Sequence, residues 1–280
     1  MSMKVVYCPE MLAPVQGYSP SAAKPGQVMQ AWKILWPDLI IRPAIAASEQ
    51  DFCRAHHKNY VADVFALRIA NGFGTRSTEV NASLPYTSGA MFTAARWALQ
   101  EKTIVAAPVS GFHHAGWESG EGYCTFNGLM VTALALQAEH AGMKIGILDY
   151  DYHYGNGTVD IIDELDVKNI VHITAGGTYD EDHQAGAFLA NIENDLNALG
   201  QCDIVLYQAG ADPHIDDPLG GFLTTAQLAQ RDWRVFDGLR KRNIPVAWDL
   251  AGGYQKPISK VIAIHENTMR ACIAVLDEIS

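Results

Sequence analysis

The run "KIGILDYDYHYGNGT", Lys144 to Thr158, joins a short apolar stretch to a polar one in which Asp149, Asp151 and His153 alternate. Residues i, i+2 and i+4 of an extended chain share a face, so these three side chains converge on one point. An unbroken apolar run of this length suits a strand covered on both faces, as in a parallel sheet. The polar residues then stand at its carboxyl end.

Runs of the same kind recur as "MKVVY", "TIVAAPV", "NIVHIT", "DIVLYQAG" and "IPVAWDL". Between them lie helix-like segments: "SGAMFTAARWALQE", "TFNGLMVTALALQAEHAG", "FLANIENDLNALG" and "TTAQLAQRDWRVFDGLRKRN". In the last, Leu228, Val235, Phe236 and Leu239 form one stripe with Arg234, Asp237 and Lys241 opposite, and Thr224 or Thr225 is placed to cap its start. The alternation predicts an α/β fold over residues 1–280 as a single domain, a mainly parallel β-sheet flanked by helices on both faces. The N-terminal third is less regular. There "LAPVQGYSPSAAKPG" reads as a loop leading into a helix around "QVMQAWKIL", and "RIANGFGTRSTEVNASLPYTSG" as a long loop punctuated by Gly and Pro. Met29, Met91 and Met130 sit among other apolar residues and are expected in the core.

Composition narrows the function. With 49% hydrophobic and 18% charged residues in 280, the chain has enough apolar surface for a sizeable core. Lys and Arg number 20 against 31 Asp and Glu, a net charge of −11, which argues against a nucleic-acid partner held through phosphates and favours a cationic small substrate. The five cysteines, Cys8, Cys53, Cys124, Cys202 and Cys272, are odd in number and scattered, which fits a reducing, cytoplasmic setting better than a disulfide framework. The N-terminal "MSMKVVYCPEM" lacks the apolar core of a signal peptide, and no run approaches membrane-spanning length, so no membrane partner is expected. Nothing in the pattern chooses between a monomer and an oligomer.

Four polar clusters stand just past the apolar runs: "SGFHHAGWESGEGYC", "LDYDYHYGNG", "AGADPHIDDPLGG" and "AGGYQ". In an open parallel sheet ligands bind outside the carboxyl ends of the strands, so four clusters at that edge point to one site. Asp151, His153 and Asp212 supply two carboxylates and an imidazole, a set suited to zinc with one position left for water. Any one of them alone would read as a helix cap or loop holder. His214, Asp216 and Asp217 have ligand chemistry too, yet one four-coordinate ion cannot take them all, so some must hold loops. His113 and His114 suit an acid and base pair if their surroundings separate their pKa values. His56 and His57, at the start of a helix-like segment, read as surface or packing. Tyr254 follows two glycines and is placed to reach a developing oxyanion. Gly122, Tyr123 and Trp117 are candidates for the wall of a substrate tunnel. His140, His172, His183 and His265 have no comparable neighbours.

Taken in order, "GFHHAGWESGEGYCTFN", "DYDYHYGNGT", "AGADPHIDDPLGG" and "LAGGY" resemble the histone deacetylase and acetylpolyamine amidohydrolase superfamily. The likeness spans Ser110 to Lys256 and continues more faintly through "HHKNYVADV" and "ASLPYTSGAMFTAARWAL". It implies a zinc-dependent deacetylase that hydrolyses an N-acyl amide on a lysine, polyamine or related small amine, presented as a small molecule or a peptide. It also implies one zinc ion per chain on Asp151, His153 and Asp212, and His114 as the general base that later protonates the leaving amine. His113 would be its electrostatic partner, Asp149 and Asn156 the groups behind the pair, and Tyr254 the phenol that polarises the scissile carbonyl. A bell-shaped pH dependence follows from those roles. A structural potassium ion would take Asp149, the side chain of Thr174 and the main-chain carbonyls of Asp151 and His153.

The chain departs from the family pattern in two places. Tyr154 stands where a second histidine is usual, and "ITAGGTYDEDHQAGAF" only loosely matches the loop that lines the acyl channel. Glu79 stands as the candidate for the family's rim aspartate. Two other readings compete: an arginase-like ureohydrolase with two manganese ions, for which Asp212, His214 and Asp217 give a D-x-H-x-x-D pattern, and a catalytically silent acyl-amide-binding protein.

Overall fold

In the computed structural model, which describes residues 2–15 and 17–278, each of the six apolar runs becomes a strand. These are β1 (Lys4–Val6), β3 (Ile104–Ala106), β4 (Ile145–Asp149), β5 (Ile170–Thr174), β6 (Ile204–Gln208) and β7 (Val246–Asp249). A seventh, β2 (Ile40–Arg42), was not foreseen; it is three exposed residues pairing with β1 at the sheet edge. All seven form one sheet in the order β2-β1-β3-β7-β6-β4-β5, every pairing parallel.

Alternate residues of the central strands feed two cores. Leu148, Val205, Tyr207, Val246 and Trp248 face one, while Ile145, Ile147, Ile204, Leu206 and Ala247 face the other. That is why these strands read as continuous apolar runs. The first core is covered by α1 (Lys24–Leu35), α7 (Ala185–Ala198), α8 (Thr225–Lys241) and α9 (Ser259–Asp277). The second is covered by α2 (Glu49–Ala55), α3 (Lys58–Phe65), α4 (Thr78–Glu101) and α5 (Gly128–Glu139), with α6 (Asn156–Glu164) beside them. Met29 lies in the first core, and Met91 and Met130 in the second. The stripe of α8 is buried as expected, each large apolar side chain contributing roughly 1.5–3 kcal/mol. Its cap is Thr224, whose hydroxyl accepts the Gln227 N–H while Gln227 Oε1 accepts the Thr224 N–H.

The expected loop from Arg68 to Gly89 is half helix: α4 begins at Thr78, where the Ser77 hydroxyl accepts the Val80 N–H, and runs through Pro85. The carbonyl of Pro85 accepts the Ala47 N–H at 2.8 Å, so tertiary bonding steadies the helix where proline has no N–H to give. Gly89 is needed there for a different reason. A Cβ on it would stand 2.0 Å from the Ile45 carbonyl oxygen, so only glycine lets the segment after β2 lie against the helix.

His56 is packing rather than surface. It is fully buried, its Nδ1 bonded to the Gly116 carbonyl at 2.8 Å and its Nε2 accepting the Asn127 N–H at 2.9 Å. The imidazole must therefore be neutral, and burial pushes its pKa down to about 4. An unfolded histidine titrates near 6.5, so this group's contribution is complete above about pH 6.5 and is lost as the pH falls toward about 4, on the order of 3 kcal/mol. We expect the stability advantage of the wild type over His56→Gln, measured by urea unfolding, to shrink by that order between pH 7.5 and pH 4.5. A pH-independent difference would show that His56 titrates freely in the folded chain.

Candidate active site

The four clusters meet because β3, β7, β6 and β4 are consecutive in the sheet and all end at one edge. Past β4 lie Asp151 and His153, and past β6 lies Asp212. One donor atom from each lies within 4.8 Å of the others. His153 Nδ1 is 3.2 Å from Asp151 Oδ1 and 3.0 Å from Asp212 Oδ2. Zinc bonds of 2.0–2.1 Å to nitrogen and oxygen give a tetrahedron with edges of about 3.3 Å. The donor set fits that ion.

Electrostatics makes the same demand. Asp151 and Asp212 are both buried, and the charges around them pull them apart. Burial raises Asp151, but His113 and His153 hold it well below the usual carboxylate range. Asp212, buried and facing the Asp151 charge, is pushed up to about 7. Burial opposes charge on His153 as well, yet the two carboxylates lift it to about 10. Two carboxylates this close stay ionised together only with a cation between them. Gly252 makes room for one: its N–H donates to Asp151 Oδ2 at 2.8 Å, while a Cβ there would lie 2.3 Å from Asp212 Oδ2.

The two histidines past β3 stand side by side, ring centroids 4.1 Å apart, in opposite surroundings. His113 is buried, with Nδ1 2.7 Å from Asp149 Oδ2 and Nε2 3.6 Å from Asp151 Oδ1. Burial alone would lower it, but Asp149, Asp151 and Asp212 lift it to about 9. His114 is partly buried, its Nδ1 bonded to Asn156 Oδ1 at 2.6 Å. Burial and then the adjacent His113 lower its pKa. Its ring lies against Gly122, where a Cβ would come within 2.3 Å of Cδ2 and φ is +55°. Glycine is obligatory at that turn.

Tyr254 is buried on the far side of the same crevice, ring centroid 5.8 Å from that of Tyr123. Burial first, then Asp212 and Asp151, raise its phenol above the usual range. The crevice is lined by His113, His114, Gly122, Tyr123, Asp151, His153, Gly252 and Tyr254. It opens into a mouth of about 630 Å³ bounded by Glu121, Tyr152, Tyr154, Asn156 and Asp180. Asp149 and Thr174 end β4 and β5 in register.

Other expectations need correction. Trp117 packs edge-on to His57 and does not line the crevice. Glu79 binds the hydroxyls of Ser77 and Thr78 at the start of α4 and lines neither crevice nor mouth. His214 spends Nε2 on Thr225 and Nδ1 on the Asp216 N–H, and Asp217 spends Oδ2 on the Tyr254 N–H at 2.7 Å. These two hold loops, as expected for part of that cluster.

Sequence reading missed four supports. The guanidinium of Arg231, fully buried and paired with Asp232, donates to the carbonyls of Tyr150 and Gly210, just before the loops of Asp151 and Asp212. Gln208 gives Nε2 to Asp149 and takes the Phe112 N–H, tying the histidine loop to β4. Lys24, buried in the first turn of α1, donates to the carbonyls of Ala251 and Gly252; burial lowers it to about 8 against the pull of Asp212 and Asp151. Asp249 Oδ1 accepts the Ala251 N–H in the same turn. Arg231 did leave a signal, since it lies on the apolar stripe of α8, three residues after Leu228 and four before Val235.

The family model "Histone deacetylase domain" matches residues 22–179; the loops of Asp212 and Tyr254 lie beyond that match. An uncharacterized protein of Picosynechococcus sp. is 26% identical over 262 residues, 87% of this chain and 86% of that one. Acetylpolyamine amidohydrolase 2 of Pseudomonas aeruginosa is 48% identical over 171 residues, which cover 51% of this chain and 48% of that protein. The chain thus spans about half the length of that relative. The crystal structure of the HDA15 HD domain superposes with a TM-score of 0.77 over 97% of this chain and 91% of that one, at 19% identity, a likeness of fold. With more than half of its length matched by the family model, the chain belongs to the histone deacetylase family of amide-hydrolysing enzymes.

Proposed function

We propose that this chain removes an acyl group, acetyl or little larger, from an amine that carries further positive charge, such as a lysine side chain or a polyamine. The observation that carries the reading is the convergence of Asp151, His153 and Asp212 beside a histidine pair and a buried tyrosine in one crevice. When bound by those three side chains, zinc supplies a Lewis acid for the scissile carbonyl and lowers the pKa of the attacking water.

The chain's own residues do the rest. His114 is neutral at physiological pH and takes a proton from water as the new C–O bond forms. It returns that proton to nitrogen as the C–N bond breaks, so the products are a carboxylate and an amine. His113, held charged by Asp149, keeps the pair's second proton and favours the developing negative charge. Tyr254 keeps its phenolic proton and donates to the oxyanion. Asp217 fixes that tyrosine through its N–H.

Glu121, Asp180 and the exposed ring of Tyr154 at the mouth, with the net charge of −11, support a cationic amine. A mostly apolar pocket behind the crevice shares Ser21, Gly111, Tyr123 and Cys124 with it and supports a short acyl chain. The register of Asp149 with Thr174 supports a potassium ion beside the zinc. Five free cysteines support a reducing, cytoplasmic setting. A two-manganese site gains no support, because His214 and Asp217 are engaged elsewhere. A silent binding protein gains none either, because the donor set of Asp151, His153 and Asp212 is intact and His113, His114 and Tyr254 line the crevice beside it.

Two outcomes are expected. Elemental analysis should find one zinc per chain; chelation should stop acetate release from acetyl-lysine and acetylpolyamine substrates, and zinc should restore it. Two manganese ions per chain would instead support the ureohydrolase reading. Tyr254→Phe should lower kcat by at least roughly tenfold with the zinc content unchanged. Turnover near that of the wild type would remove Tyr254 from the mechanism.

A further inference from the structure

The two histidines are backed by different chemistry. Behind His113 stands a carboxylate, Asp149, whose two oxygens accept equally well whichever way it turns. Behind His114 stands the amide of Asn156, which accepts on one side and donates on the other. Only one orientation serves a base. With oxygen facing Nδ1, that nitrogen must carry the hydrogen, and Nε2 is left bare. Turned over, the amide would donate to Nδ1 and put the hydrogen on Nε2, where a base cannot use it.

Glu121 makes the choice. Asn156 Nδ2 donates to Glu121 Oε1 at 2.7 Å, while Asn156 Oδ1 meets His114 Nδ1 at 2.6 Å. An ionised carboxylate only accepts, so the amide NH2 must face Glu121 and its oxygen must face His114. Glu121 is itself held by the bond from the Cys124 N–H to its carbonyl at 2.8 Å, two residues before Tyr123 of the crevice. We infer that Glu121 is a positioning residue that sets the tautomer of His114 through the side chain of Asn156. The inference rests on the proposed role of His114 as the base. The arrangement has a physical advantage: a neutral amide brings no negative charge to raise the pKa of His114 as a second carboxylate would, and Glu121 removes the orientational ambiguity that an amide brings.

The test is a charge reversal that also reverses the hydrogen bond. In Glu121→Lys a donor replaces the acceptor, so Asn156 should turn its oxygen to the lysine and its NH2 to His114. Nitrogen-15 NMR of histidine-labelled protein, with and without zinc, reads the tautomer directly. The His114 signal should move from the Nδ1–H to the Nε2–H form, and kcat should fall by at least roughly tenfold. Glu118→Lys makes the same charge change on the same loop at an exposed side chain and should leave tautomer and kcat unchanged. In an Asn156→Asp background the partner of His114 is an acceptor in either orientation. There Glu121→Lys should change kcat less than about twofold. An unaltered tautomer in Glu121→Lys, or equal losses of kcat in both backgrounds, would overturn the inference. Should the protein hydrolyse no amide at all, the tautomer measurement still decides the role of Glu121, so the two readings fail separately.

Discussion

Burying like charges at one edge of a sheet is the constraint on which the structure turns. Asp149, Asp151, Asp212 and Asp249 are each no more than 3% exposed, at or just beyond the ends of three adjacent strands. Left to themselves they would repel, and burial together with Asp149 drives the Asp249 carboxyl well above the usual carboxylate range. The fold answers with buried cations. His113 stands among the carboxylates, Lys24 approaches from α1, and Asp151, His153 and Asp212 form a donor set that could hold a metal ion. The same charges raise His113, while burial and then His113 lower His114, so two adjacent histidines are shifted in opposite directions.

Placement of those carboxylates depends on side chains that grip main-chain carbonyls across the molecule. Arg231 of α8 holds the turns after β4 and β6 together, and its partner Asp232 is in turn bonded by Tyr207 and Thr268. Lys24 does the same for the turn that presents Tyr254, in which Ala251 adopts a φ of +46°. That conformation is strained for a residue with a Cβ, and bonds from Lys24 and Asp249 on both sides hold it. Replacing either cation by an apolar residue would therefore loosen the donor set as well as remove charge. The helices that seem only to cover the sheet also aim its edge.

What the sequence revealed follows from range. Unbroken apolar runs and the polar clusters behind them are local, and they located six of seven strands and the edge where Asp151, His153, Asp212, His113, His114 and Tyr254 gather. The edge strand β2 was invisible because three exposed residues carry no burial pattern. The first turns of α4 were read as loop because Pro85 and Gly89 are breakers in isolation, and only the contacts with Ala47 and Ile45 explain them. Lys24 and Gln208 left no local mark at all. Lys24 lies 227 residues from its carbonyl partner on Ala251, so a reading of neighbours sees an ordinary charged residue at a helix start.

The two departures from the family pattern are neighbours in space, which makes them one change. Gly177 lies in the loosely matching loop with φ of +78°, and a Cβ on it would stand 3.8 Å from Cβ of Tyr154. That is ordinary contact, so it is the positive φ that favours glycine there, and Tyr154 stands half exposed at the mouth beside Asp180. The preceding Gly176 packs against the main chain of His153, where a Cβ would come within 2.2 Å of the carbonyl carbon. The loop is thus fixed to the donor histidine on one side and opened around an aromatic ring on the other. The entrance can vary while the position of His153, and with it the chemistry, is held.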